Sequence, residues 1–137
     1  MIEVIKDKKV WKEQIALVSN SDFYHTYDYH QLSKSNDEYP ILIKYADGQT
    51  SLLIPLLLRD IDNSDYKDAT SVYGYAGPLV QHIDENFNVD DFQDEFNQFL
   101  QKNNIVSVFS RLHPYIEHQE SILKGLGTIT ALGNVVN

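Results

Sequence analysis

Cysteine is missing from all 137 residues, which removes disulfides, thiolate nucleophiles, zinc ribbons and iron–sulfur ligation in one step and leaves an intracellular protein as the natural expectation. Basic residues are scarce as well. Eleven Lys and Arg stand against 20 Asp and Glu, a formal net charge of −9, with the acidic groups spread along the chain instead of gathered in a tail. A surface of that sign repels phosphate backbones, so direct nucleic-acid binding driven by counterion release is not expected, although a local basic pocket stays open. Long apolar runs are also lacking. The longest, Leu52 to Leu58, is interrupted by Pro55 and falls far short of the roughly 18 residues of a membrane span; it reads as a buried strand, and no membrane span is expected. Met1-Ile2-Glu3-Val4-Ile5-Lys6 has no basic segment leading into an apolar one, as a secretory signal would require, so the expected location is cytoplasmic.

What is there reads as a single domain over residues 1–137, long enough to bury a core and too short for two. Ile2 to Lys6 alternates like a short strand. Asp7 then caps a helix whose Trp11, Ile15 and Val18 share one face, and a second, short helix is expected from Tyr27. From Pro40 the pattern turns to β: Ile41, Ile43 and Tyr45 alternate with Leu42 and Lys44, Asp47-Gly48 makes the tight turn, and Ser51 to Leu58 returns. Because the returning strand is apolar on both faces, it is expected to be central and covered above and below, with a bulge at Pro55, which cannot donate to a ladder. Thr70 to Tyr75 is a further strand candidate, ended by Ala76-Gly77-Pro78. Phe92, Phe96, Phe99 and Leu100 predict a helix over Asn88 to Lys102, with Asp90 and Asp91 complementing its N-terminus. Ile105 to Phe109 predicts a strand, Ile122, Leu123 and Leu126 a short helix closed near Gly125 or Gly127, and Thr128 to Leu132 a last extended segment. The fold class is α/β (α+β), with a mixed sheet.

Several chemistries fail on spacing. His25 and His30 are five apart, as are His113 and His118, whereas two ligands on one helical face need a spacing of four. The stretch His113 to His118 comes near an inverted zinc-protease pattern but carries Pro114 where a His is needed. Ser107 and Ser110 lie outside any nucleophile elbow, and Lys124-Gly125-Leu126-Gly127 reads as a helix end more readily than as a phosphate cradle. Two clusters remain. In Ser71-Val72-Tyr73-Gly74-Tyr75-Ala76-Gly77-Pro78, tyrosines alternate with small residues: either backbone comes close to a ligand while Tyr73 and Tyr75 supply directed hydroxyls, or a strand end runs into a tight turn with core tyrosines. In Ser110-Arg111-Leu112-His113-Pro114, Arg111 leaves a strand at a proline-fixed turn, either to grip a carboxylate or phosphate or to pair with one of the many acidic side chains.

Taken in order, Phe23-Tyr24-His25-Thr26-Tyr27, Pro55-Leu56-Leu57-Leu58-Arg59, the stretch from Asp68 to Pro78 and Arg111-Leu112-His113-Pro114 resemble the N-terminal half of FemAB-like transferases, proteins built from two GNAT (N-acetyltransferase) folds in tandem. The resemblance covers about Phe23 to Pro114. It implies a GNAT-like, mostly antiparallel sheet with helices on both faces, and transfer of an aminoacyl or acyl group to an amine of a peptidoglycan or surface-polysaccharide precursor. The first fold of such a tandem contacts the acceptor. By that analogy Tyr73, Tyr75 and Arg111 face an anionic cell-envelope precursor, His113 shapes the turn, and Lys34 stands near a phosphate-binding position. A second GNAT-like domain C-terminal to this chain is the implied partner. The resemblance places no cofactor in this chain, acyl-CoA or aminoacyl-tRNA being the donor co-substrate of the whole transferase. The departures are Ser71 at the head of the pyrophosphate-loop pattern and no helix obviously following it. They make this half, on its own, expected to be inactive. A non-catalytic ligand-binding or interaction domain and a small standalone acyl-CoA-dependent N-acetyltransferase are the alternatives.

Overall fold

Ten residues that alternate and eleven that return organise the molecule. The computed structural model describes residues 1–74, 76–113, 116 and 118–127. In it β2 (Glu38–Asp47) and β3 (Thr50–Asp60) form a long antiparallel hairpin in register from Glu38↔Arg59 to Asp47↔Thr50. Its two-residue loop begins at Gly48, whose φ of 58° is the left-handed conformation such a loop asks of its first residue. Strand β1 (Ile2–Ile5) adds antiparallel to the outer edge of β2. The opposite edge of β3 is shared. β4 (Lys67–Thr70) pairs with Leu57–Asp60, and β5 (Leu79–His82) pairs with Ser51–Leu53. Finally β6 (Ile105–Phe109) lies parallel to β4, the one parallel strand pairing among the described residues, in a sheet ordered β1-β2-β3-β4-β6.

Helices cover both faces. On one, α1 (Lys8–Ala16) and α2 (Tyr27–Ser33), joined through a 3-10 turn at Phe23–His25, place Trp11 and Tyr27 against Ile5, Leu42, Leu53 and Leu79. On the other, α3 (Val89–Lys102) and α4 (Gln119–Leu123) press Phe92, Phe96 and Ile122 onto Ile41, Ile43, Tyr45, Leu52, Ile54 and Leu56. Odd positions of β2 and even positions of β3 face α3; on the other face Leu42 and Leu53 meet Trp11 of α1, and Leu57 meets Val72, Ala76, Tyr24 and Tyr29. That is why β3 had to be apolar throughout: the expectation of a central strand covered on both sides holds.

Three expectations need correction. No bulge occurs at Pro55 in the β2–β3 ladder, which is continuous. The proline lies instead in the interval Ile54–Leu56, where, among the described residues, the other edge of β3 has no strand partner, so its missing N–H interrupts nothing. The register shift falls at Ser51/Leu52, against β5. Second, the strand expected from Thr70 to Tyr75 stops at Thr70 and begins at Lys67. Third, β5 comes directly after Pro78 and was not foreseen. The expected segment Thr128–Leu132 lies outside the described residues.

Candidate functional site

Strands β4 and β5 run the same way along one edge of β3, so the chain between them crosses a gap of only three β3 residues. It uses eight, Ser71 to Pro78, and therefore leaves the sheet as an excursion. Excursions of this kind are normally mobile loops. This one is fastened along its length. Ser71 N–H donates to the Phe109 carbonyl at 2.7 Å, and the Ser71 hydroxyl accepts from Arg111 N–H at 2.9 Å. Val72 and Ala76 are buried with Leu57 against Tyr24 and Tyr29. The Tyr29 hydroxyl donates to the Tyr73 carbonyl at 2.8 Å.

The two glycines of the excursion serve packing. Gly74 (φ 110°) lies so close to the Tyr24 ring that a Cβ would overlap it, and a Cβ on Gly77 (φ 77°) would fall 2.5 Å from Gln119 Nε2. Both positions combine a left-handed backbone with a lack of room. At these two positions the small residues let the protein's own side chains approach the backbone, so the stretch read for a ligand's close approach is filled from beneath. Beyond Pro78 the chain enters strand β5 and offers no helix N-terminus to hold a pyrophosphate.

The floor is a polar network inside an apolar shell. His25 is fully buried; its Nδ1 accepts from Asp22 N–H at 3.0 Å and its Nε2 donates to the Ala76 carbonyl at 2.9 Å, which fixes the neutral tautomer. Burial pushes its pKa below the ordinary histidine value. Gln119, also buried, donates through Nε2 to the Ala76 carbonyl at 2.8 Å and the Pro78 carbonyl at 2.9 Å, and accepts from His113 N–H at 2.6 Å. His113 Nε2 donates to Asp22 Oδ2 at 2.9 Å. That hydrogen bond is the main cause holding the Asp22 carboxyl below its usual range. The His113 ring centroid is 6.3 Å from that of His25.

Above this floor the side chains turn outward. Tyr73 is 78% exposed. Phe23, 56% exposed, packs its ring 4.1 Å from Tyr24 and 5.3 Å from Tyr29, while Tyr24 and Tyr29 meet edge to face at 5.4 Å. Together these rings make an aromatic shelf beside the Tyr73 backbone. Arg111 is exposed and, among the described residues, its guanidinium forms no ion pair; its backbone is tied to Ser71, two residues before Tyr73.

Of the residues expected at the site, Tyr73 and Arg111 are brought to neighbouring backbone positions, and His113 belongs to the floor, where it joins Asp22 to the Arg111 segment. Lys34 caps the C-terminus of α2, its N–H donating to the His30 carbonyl at 3.0 Å. Among the described residues no hydrogen bond or ion pair links its side chain to the other three. Tyr75 and the turn residue Pro114 lie outside the described residues. Sequence reasoning gave no role to Asp22, Tyr24, Tyr29 or Gln119, although the crowding of aromatics from Phe23 to Tyr29 was a visible signal for the shelf. Among the described residues no three His, Asp or Glu side chains are grouped to hold a metal ion. Comparison of the chain with protein-family models, with curated proteins and with solved structures finds no match in any of the three.

Proposed function

We propose that this chain is the acceptor-binding half of an N-acyltransferase, holding an anionic cell-envelope precursor while a second, GNAT-like domain delivers an aminoacyl or acyl group to its amine. One observation carries the reading: an excursion from the sheet edge is fixed from below by His25, Gln119, Tyr24 and Tyr29, while Tyr73 and Arg111 are left outward. A binding surface built this way loses little conformational freedom when a ligand arrives. The shelf of Phe23, Tyr24 and Tyr29 offers flat apolar area to a sugar ring, Tyr73 a directed hydroxyl, and Arg111 a planar cation for a phosphate or carboxylate. The resemblance to FemAB-like transferases supplies the reaction class. The absence of a helix after Ser71–Ala76 weighs against a standalone acyl-CoA enzyme.

Isothermal titration with UDP-N-acetylmuramoyl pentapeptide tests the proposal. Saturable binding is expected, weakened about tenfold or more by Arg111→Ala through the lost charge-assisted hydrogen bond and also weakened by Tyr73→Ala. Acetyl-CoA should give no saturable heat. No binding of the precursor, or binding indifferent to both substitutions, would remove the acceptor role; tight binding of acetyl-CoA would restore the standalone enzyme.

A further inference from the structure

On the sheet face opposite the excursion, a groove of about 400 Å³ opens between the C-terminal end of α3 and the strands. Its size lies within the range of about 300–1,000 Å³ that small ligands occupy. Leu58 and Ile105 make the floor, with the fully buried Ile41 beneath them, and Phe99 and Val4 flank it. None of these residues takes part in the site described above.

The polar groups at this groove are the informative part. In a chain with 20 acidic and only 11 basic side chains, two lysines, Lys6 and Lys67, line the same apolar surface. Lys6 Nζ stands 5.8 Å from the centre of the Tyr39 ring, a cation–π contact that holds the ammonium over an aromatic face. Lys67 Nζ is 2.9 Å from Asp60 Oδ1, but the Asp60 side chain is 70% exposed. Exposed pairs of this kind contribute little and exchange readily, so this bridge can yield to a ligand. At the helix end the Phe99 carbonyl accepts from Asn103 N–H at 3.1 Å and Asn103 Nδ2 at 2.8 Å, and Lys102 in the last turn of α3 offsets the negative end of the helix.

The geometry points to a binding site for a small amphipathic monocarboxylate, with an alkyl chain of medium length against Phe99, Val4, Leu58 and Ile105 and the carboxylate between Lys6 and Lys67. An uncharged alkane would use neither ammonium group, and inorganic phosphate would leave the apolar floor uncovered. A free carboxylate with a short tail uses both. The site stands independently of the proposed acceptor role, because it occupies the other face of the sheet.

Sodium octanoate is the probe. In amide correlation spectra of the ¹⁵N-labelled chain, saturable shifts are expected at Lys6, Tyr39, Lys67, Phe99 and Asn103. 1-Octanol, which keeps the tail and lacks the charge, should bind about tenfold more weakly or worse, and acetate, which keeps the charge and lacks the tail, should not saturate. The double variant Lys6→Gln with Lys67→Gln changes two side chains at the groove's polar edge. It should weaken octanoate about tenfold or more while leaving 1-octanol unchanged. Non-saturating or scattered shifts, equal binding of the alcohol, or an unchanged octanoate affinity in the double variant would each overturn the assignment.

Discussion

His30 carries the one buried side-chain nitrogen or oxygen that has no hydrogen-bond partner among the described residues. It is fully buried, its ring centroid 5.1 Å from that of Trp11; Nδ1–H donates to the Thr26 carbonyl at 2.8 Å, and Nε2 has no partner. A proton on Nε2 would have no acceptor among the described residues, and burial pulls the pKa down to about 4. The unfolded chain, with histidine near its ordinary value, takes up that proton more readily. Between about pH 6.5 and pH 4 the unfolded state therefore binds more protons, and stability falls as the pH drops through this window, by about 3 kcal/mol in total from this group. His25, shifted the same way by burial, adds to the trend. Urea unfolding of wild type and of His30→Leu at pH 7.5 and pH 4.5 isolates the His30 part, since acidic side chains contribute equally to both proteins. Wild type is expected to lose roughly 2–3 kcal/mol more than the variant across that interval. Equal losses would mean that His30 is solvated or already paired. The sequence showed five histidines with no metal spacing, but that His30 is buried depends on Trp11 of α1 closing over it, which no local pattern states.

At the scale of elements, α3 was legible almost to the residue because everything that makes it is local. Asn88 accepts from Asp90 N–H at 2.9 Å and Asp91 N–H at 3.3 Å, two acidic residues occupy the first turn, Lys102 occupies the last, and Phe92 and Phe96 recur on the buried face. Asn88→Ala should lower unfolding free energy by about 1 kcal/mol, and Asn88→Asp, which keeps the accepting oxygen, should restore most of it. Chemical denaturation of the three proteins measures this; equal stability of the Ala variant would mean that the cap is already lost to solvent. The β2–β3 hairpin and β6 were legible for the same reason, through turn chemistry and β-branched runs. Strand β4 was not. Its sequence Lys67-Asp68-Ala69-Thr70 carries no strand pattern; it is extended because Leu57–Asp60 of β3 lies on one side and β6 on the other. The more strand-like Ser71-Val72-Tyr73 keeps one bond to the sheet, from Ser71 N–H to the Phe109 carbonyl of β6, and is then drawn away by contacts with Tyr24 and Tyr29 that arise from elsewhere in the chain. Local propensity lost to partners distant in sequence.

For the whole molecule the same limit decides how much of the candidate site could be read in advance. Tyr73 and Arg111 are visible in sequence as a phenol among small residues and a cation at a turn. Their common support is not, since it depends on Asp22 meeting His113 across 91 positions and on Gln119 reaching Ala76 across 43. Gln119 is the side chain through which these parts are joined: α4 carries it, the excursion gives it two carbonyls, and the Arg111–His113 segment gives it an N–H. Gln119→Leu places an apolar side chain of roughly similar size in this buried position and removes all three hydrogen bonds. The Ala76 carbonyl retains His25, whereas the Pro78 carbonyl and the His113 N–H each lose Gln119, at a cost of about 2–4 kcal/mol for the two together. If Gln119 joins the segments into one unit, the loss will not stay at α4. Native-state hydrogen exchange should accelerate at the Ser71 and Arg111 amides, which bond to the Phe109 carbonyl and the Ser71 hydroxyl and never touch Gln119 directly. Faster exchange confined to α4, with Ser71 and Arg111 unchanged, would show that the excursion is held by its aromatic neighbours alone.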